Sequence, residues 1–255
     1  MSTQRVAVVT GASSGIGAGL ARALAGRGWR CVLLARREER LRPLAEETHG
    51  EFELCDVSDR AAVEAVAARV LERHPAVHLL VNNAGIPARA TFLDGDPQAI
   101  EDVIRTNYLG GVWCLRAFLP GLERGAPSDV VNIVSVAGAV AVPQSGPYSA
   151  SKHAQLAFSR ATAADLRGRG IRVHTVKPGY VETEGFPQGW LPAPVRRIVI
   201  EPDAVAAHVL ASLDRRRGET TVPWFYGPAG GLQALIPNVF ASVLARGRKR
   251  SKIVS

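Results

Sequence analysis

At 255 residues the chain is long enough for one large α/β domain, and 47% hydrophobic against 21% charged residues is a globular composition. No apolar run reaches the roughly eighteen residues of a bilayer span, so a membrane-spanning helix is excluded. The net charge of +8 rests on 27 Arg and only 4 Lys, in clusters (Arg36-Arg37, Arg196-Arg197, Arg215-Arg-Arg217, Arg246 to Lys252) scattered over helix ends and the tail, which predicts a solvated surface with sites for an anionic cofactor and no nucleic-acid partner.

The first strand is predicted over residues 6–9. Met1-Ser-Thr-Gln-Arg5 leads straight into it and leaves no room for a secretory leader, so a cytoplasmic location is expected. Gly11-Ala-Ser-Ser-Gly-Ile-Gly17 follows at once, then an alanine-rich helical pattern near residues 16–26. In this strand–turn–helix Gly11 allows the tight turn, Gly15 lets the backbone approach a pyrophosphate, and Gly17 permits close packing of helix on strand. Phosphates sit against the free N–H groups at the helix start, which nominates Gly11, Ser13, Ser14, Gly15, Ile16 and Gly17 as cofactor contacts. A purely structural turn is the alternative.

The second strand, 31–34, ends in Leu33-Leu34-Ala35-Arg36-Arg37 and leads into a helix near 38–48. A strand at 52–54 precedes Asp56-Val57 and a helix over 60–73, with Ser58 or Asp59 as its N-cap. The strand at 79–82 runs into Asn82-Asn83-Ala84-Gly85, and a helix near 98–120 contains Asn107. The strand at 130–134 stops at Ser135, followed by a helix over 148–168 and a strand at 173–176. Residues 178–202, rich in Gly and Pro, break the rhythm and read as a lid-like loop in which Tyr180, Phe186 and Trp190 close over an apolar substrate. A surface excursion packing on itself is the alternative. A helix at 203–214 and a strand at 220–223 complete the alternation. Continuous apolar strands alternating with helices predict a single-domain, Rossmann-like, doubly wound parallel sheet of about seven strands, with helices on both faces.

Tyr148-Ser-Ala-Ser-Lys152 carries the chemistry. Tyr and Lys at i and i+4 project from one helical face. A phenol with its ordinary pKa of ~10 is a poor acid or base at neutral pH, and a neighbouring ammonium favours the phenolate and lowers that value. Ser135 stands at the carboxyl end of a buried strand, where such sheets put their ligands. At the second strand, a dinucleotide fold specific for NAD places an acidic residue roughly 20 residues beyond the glycines. Here Ala35 and Arg36 stand in that region, and a guanidinium grips a phosphate bidentately. NADP(H) is therefore favoured, through Arg36 and Arg37, with NAD(H) as the other cofactor; the competing reading makes Arg36-Arg37 the start of an exposed helix.

Thr10-Gly-Ala-Ser-Ser-Gly-Ile-Gly17, Asn82-Asn-Ala-Gly85, Asn107, Ser135, Tyr148-xxx-Lys152 and Pro178-Gly179 occur in the order found in short-chain dehydrogenases/reductases, and the chain resembles the compact single-domain branch of that family from about residue 5 to 185. The resemblance implies the strand order 3-2-1-4-5-6-7. It implies a ketone/secondary-alcohol oxidoreductase in which Tyr148 is the general acid, Lys152 lowers its pKa and holds the nicotinamide ribose, Ser135 holds the substrate oxygen, and Asn107 anchors a water that links Lys152 to solvent. It further implies that Asp56 and Val57 meet the adenine, that Asn83, Ala84 and Gly85 support the adenosine side, and that Pro178, Gly179 and Val181 line the nicotinamide. Thr183 is expected at the carboxamide or the diphosphate. Ser14 departs from relatives that carry a basic residue before the middle glycine. A non-catalytic NADP-binding sensor is the rival function, and the complete tetrad speaks against it.

Cys31, Cys55 and Cys114 lack metal-ligand spacing and read as reduced core thiols, and no HExxH motif occurs, so no metal is predicted. Apolar residues Leu232, Leu235, Ile236, Val239, Phe240, Val243 and Leu244 form a helical stripe in a variable tail, 230–255, with Pro237 interrupting and basic residues following. A helix packed on the domain or across a homodimer interface is favoured over a peripheral membrane contact. The expected substrate is a small apolar carbonyl or alcohol.

Overall fold

The computed structural model describes residues 4–87, 95–142, 145–189, 196–239 and 242. Seven parallel strands form one sheet: β1 (Val6–Thr10), β2 (Arg30–Ala35), β3 (Glu51–Leu54), β4 (Leu79–Asn82), β5 (Ser128–Ile133), β6 (Ile171–Pro178) and β7 (Glu219–Val222). Their order is β3-β2-β1-β4-β5-β6-β7, as the family resemblance implies. The chain reverses direction across the sheet between β3 and β4, and this crossover opens a crevice at the carboxyl ends of β1 and β4.

The strands read as continuous apolar runs because both faces are covered. On one face Val9, Leu33, Val81 and Val176 pack with α1 (Gly15–Ala25), α2 (Glu38–Glu47) and α7 (Pro202–Asp214) through Leu20, Leu24, Leu41, Val205 and Val209. On the other, Val8, Val32, Leu80 and Val130 meet α3 (Arg60–Arg73) and α5 (Gly110–Arg124) through Val63, Val66, Val70, Phe118 and Leu122. Neighbouring residues of one strand thus feed opposite cores, as the strand period of two requires. Cys31, Cys55 and Cys114 are free and buried, and burial pushes the Cys31 and Cys55 thiols up to about 11, which suits inert core thiols.

The helix expected near 98–120 is longer and interrupted. It comprises α4 (Pro97–Ile104), a wide π-helical turn over Arg105–Leu109, and α5. That turn holds Asn107, and such widenings re-aim a side chain that regular winding would leave on the helix surface. The active-site helix α6 (Gly146–Asp165) starts before Tyr148, and β6 continues through Pro178, so the excursion begins one residue later than expected. Asp59, not Ser58, caps α3, accepting from Ala61 N at 2.8 Å and Ala62 N at 3.2 Å. After β7 comes α8 (Gly227–Leu235), and beyond a bend at Ile236 the chain is helical again over residues 237–239, from Pro237 onward.

Of the two placements expected for the tail stripe, on its own domain or across a homodimer interface, the described residues of the single chain show only partial docking. Gln233 ties α8 to the loop after β5, accepting from Ala141 N at 2.7 Å, while Leu232, Leu235, Ile236 and Val239 are exposed. Gln233 and the close approach of Gly230 to Ala139 dock the helix, and the described apolar residues of its stripe are exposed. Phe240, Val243, Leu244 and the basic run lie outside the described residues.

Candidate active site

The turn after β1 is built for a close-approaching anion. Gly11 and Gly15 have φ of +63° and +54°, a region that side chains rarely adopt, and a methyl on Gly17 would lie 2.3 Å from the Gly11 carbonyl oxygen. Thr10 and Asn83 lock the turn to β4: the Thr10 hydroxyl accepts from Asn83 N at 3.0 Å and Ala84 N at 3.1 Å, and Asn83 Nδ2 donates to Thr10 O at 3.0 Å. Ser14 stands at the N-cap of α1 without capping it, and no acidic side chain lies in the first turn. The N–H groups there, at the positive end of the helix dipole, are left for a ligand. A dinucleotide pyrophosphate fits this cradle.

At the end of β2 the two arginines part. Arg36 is exposed and stands 3.5 Å from Asp56 Oδ2. Arg37 folds back over the glycine turn, donating to Ser13 Oγ at 3.2 Å and Ser14 Oγ at 3.0 Å. Its guanidinium therefore lies at Ser14, the position just before the middle glycine of the turn. Asp56 accepts from Ser58 N at 2.9 Å and Ser58 Oγ at 2.7 Å, and these bonds, helped by Arg36, hold its carboxyl below the usual range against the opposing effect of burial. Val57 is buried in the core.

Around the crevice floor, Ser135 follows β5 and opens a short turn (Val136–Gly138), accepting from Ala137 N at 3.1 Å. Tyr148 faces it from the first turns of α6. Burial pushes the Tyr148 phenol up to about 12, and a hydrogen bond with Ser135 works against that rise. Lys152 is 4% exposed, and its ammonium donates to Ile133 O at 3.1 Å and Gln155 Oε1 at 2.8 Å. Burial pulls Lys152 down to about 7. The Lys152 nitrogen lies 5.9 Å from the centre of the Tyr148 ring.

Asn107 is engaged with the Ile86 backbone and the Ser151 side chain. Its Oδ1 accepts from Ile86 N at 2.8 Å, and its Nδ2 donates to Ile86 O at 3.0 Å and Ser151 Oγ at 3.1 Å. A methyl on Gly85 would lie 3.2 Å from Asn107 Oδ1 and 3.8 Å from Lys152 Nζ, so all three border one spot. Ser151 and Gln155, which hold Asn107 and Lys152, escaped the sequence reading; Gln155, one turn beyond Lys152 on the same helix face, was the available signal. A buried polar chain also went unread: Asn82 donates to Asn132 at 2.9 Å, Asn132 to Ser159 at 2.8 Å, and Ser159 meets Thr175 at 2.7 Å. It pins α6 to the sheet from below.

The segment after β6 forms the outer wall. Pro178 and Val181 are buried, Thr183 packs against Gly15, and the Phe186 ring lies 5.5 Å from the Tyr148 ring. Tyr180 meets Tyr226 edge to face, and Trp190 lies outside the described residues. His74 and His78, four positions apart, diverge: His74 meets Glu51 at 2.9 Å and His78 Nδ1 accepts from Val6 N at 3.1 Å. Among the described residues no group of three or more metal-binding side chains converges.

The short chain dehydrogenase family model matches residues 5–189, which span the glycine turn, both arginines, the tetrad and the wall segment. The chain is a short-chain dehydrogenase/reductase. It is similar to dehydrogenase/reductase SDR family member 7B of Xenopus laevis, 35% identical over 97% of this chain and 83% of that protein. It is 40% identical to a putative ketoacyl reductase of Streptomyces coelicolor over 72% of this chain and 74% of that one. Among solved structures, an alcohol dehydrogenase from the archaeon Thermococcus sibiricus, complexed with 5-hydroxy-NADP, superposes with a TM-score of 0.74 at 32% identity, covering 83% of this chain and 91% of that one. A short-chain dehydrogenase/reductase from Burkholderia phymatum in complex with NAD gives 0.77 at 28% identity, covering 89% and 90%. Short-chain dehydrogenase/reductase neighbours thus bind either nicotinamide cofactor.

Proposed function

We propose that this oxidoreductase is an NADPH-dependent reductase that converts an apolar ketone to a secondary alcohol, and runs the reverse reaction when the cofactor is oxidised. The observation that carries the cofactor half is Arg37 lying across Ser13 and Ser14 of the glycine turn, a guanidinium and two hydroxyls together. A ribose phosphate is met there by charge-assisted bonds, where NAD offers a neutral hydroxyl.

The glycine turn and the Pro178–Val181 wall would hold the nicotinamide cofactor, which when bound would supply the hydride. Tyr148 donates its proton to the substrate's carbonyl oxygen, a role suited to a phenol that stays protonated at neutral pH. Ser135 holds the same oxygen and offsets the charge developing on it. Lys152, with a pKa of about 7, can pass a proton toward Tyr148 within the working pH range, and Asn107 and Gly85 lie beside its nitrogen. Phe186 over Tyr148 supports an apolar substrate. The exposed stripe on α8 is the surface that a second copy would cover in a homodimer.

The test is NADPH oxidation against a panel of apolar ketones, with NADH in parallel. Turnover with some ketone and a preference for NADPH is expected; equal use of NADH removes the cofactor assignment, and no turnover with any carbonyl removes the reductase reading.

A further inference from the structure

The wall segment that crosses the site is itself a folded turn. Phe186 N donates to Thr183 O at 3.0 Å and to Thr183 Oγ1 at 3.1 Å. Buried Gln188 donates through Nε2 to Phe186 O at 2.7 Å and through its backbone N to the Glu182 carboxylate at 3.0 Å. The turn touches both halves of the site. At one end Phe186 packs on Tyr148, with ring centres 5.5 Å apart. At the other, Glu184 Oε1 accepts from Arg37 Nη1 at 3.0 Å and lies 3.9 Å from Arg40. Between them a methyl on Gly15 would lie 2.9 Å from Thr183 Cγ2, so the turn sits directly on the glycine cradle.

A carboxylate of the chain itself therefore occupies an anion position beside Arg37, the guanidinium that also holds Ser13 and Ser14. We propose that Glu184 is a specificity-determining residue: it competes internally for Arg37, so that a nucleotide with a phosphate on its adenosine ribose displaces it and loosens the turn from Tyr148, while a nucleotide without one lacks that lever. This rests on the reading of Arg37 as a phosphate partner. Carboxylate and phosphate claim the same guanidinium donors and repel each other when both are present. The exchange is feasible because Glu184 and Arg37 have side chains 53% and 38% exposed, and exposed ion pairs hold weakly. The internal bonds of the turn carry the displacement, since Thr183 and Phe186 move with Glu184 as one unit.

Calorimetric titration with 2′,5′-ADP and 5′-AMP tests this without catalysis, on the wild type, Glu184→Gln, and Glu39→Gln as an equal charge change on an exposed residue of α2. Glu184→Gln is expected to bind 2′,5′-ADP roughly fivefold more tightly, the scale of one exposed ion pair, with 5′-AMP unchanged and Glu39→Gln near the wild type. Amide exchange over residues 182–188 should quicken when wild type binds 2′,5′-ADP and not when it binds 5′-AMP. Unchanged or weaker 2′,5′-ADP binding in Glu184→Gln overturns the proposal, and if wild type still prefers 2′,5′-ADP the reading of Arg37 stands without it. If neither protein distinguishes the two nucleotides, both ideas fall.

Discussion

Lys152 should make the folded protein pH-sensitive, and replacing it with Met should remove that sensitivity. Its ammonium is 4% exposed and meets only the neutral acceptors Ile133 O and Gln155 Oε1, and burial lowers its pKa from 10.5 to about 7. The unfolded chain therefore binds a proton that the folded chain gives up between about pH 7 and 10.5. Stability contributed by this site rises with pH across that window and is lost as pH falls toward 7. At 1.36 kcal/mol per pH unit the full penalty, present below pH 7, is roughly 5 kcal/mol, and between pH 6 and pH 9 it changes by about 2.5 kcal/mol. Lys152→Met abolishes the penalty but strands the two acceptors, a cost that does not vary with pH and leaves the absolute sign of the change open. The difference between the two proteins is the diagnostic quantity, because every other titrating group cancels in it. Urea unfolding of both, without nucleotide, at pH 6 and pH 9 should show Lys152→Met gaining about 2.5 kcal/mol on the wild type at the lower pH, or some 5–10 °C in Tm. A difference that is the same at both pH values would refute the account of Lys152 as a desolvated, titrating amine.

Two further outcomes are expected. Arg37→Ala should lower kcat/KM with NADPH by roughly tenfold or more while leaving NADH nearly unchanged, whereas Arg36→Ala should do less, because only Arg37 reaches Ser13 and Ser14; equal effects would reassign the phosphate contact. Deleting residues 230–255 should change the oligomeric state or lower stability, read by light scattering and thermal unfolding. A truncated protein that stays equally stable and dimeric but no longer co-sediments with anionic vesicles, as the full chain would, points to a membrane contact instead.

Most of the frame was legible because it follows from local pattern. Strands buried on both faces write themselves as apolar runs, so β4 coincides with its expected range and α3 likewise. The glycine turn and the Tyr148–Lys152 spacing are short-range facts of one turn and one helix. What stayed hidden depends on partners far apart in sequence. Arg37 meets Glu184 across 147 positions and Ser13 across 24, and no periodicity encodes either pairing. The same holds for the Asn82–Asn132–Ser159–Thr175 chain, whose members look like isolated polar residues until the sheet aligns them. The depth at which Tyr148 and Lys152 are buried stayed hidden for a related reason. Spacing places the two on one helix face, but burial, which a sequence does not display, dominates both pKa values. The apolar tail stripe was legible, but the contact that docks its helix was not, because Gln233 meets Ala141 across 92 positions of sequence.

The central claim is that Tyr148 delivers the proton to the substrate oxygen. Steady-state NADPH oxidation by Tyr148→Phe, with nucleotide affinity measured on the same preparation, tests it most directly. The account predicts a fall in kcat of roughly 10²-fold or more with Kd for NADPH within about twofold of the wild type, because the phenol's ring remains to pack on Phe186 and only its proton is gone. A Phe variant that keeps a comparable kcat would contradict it.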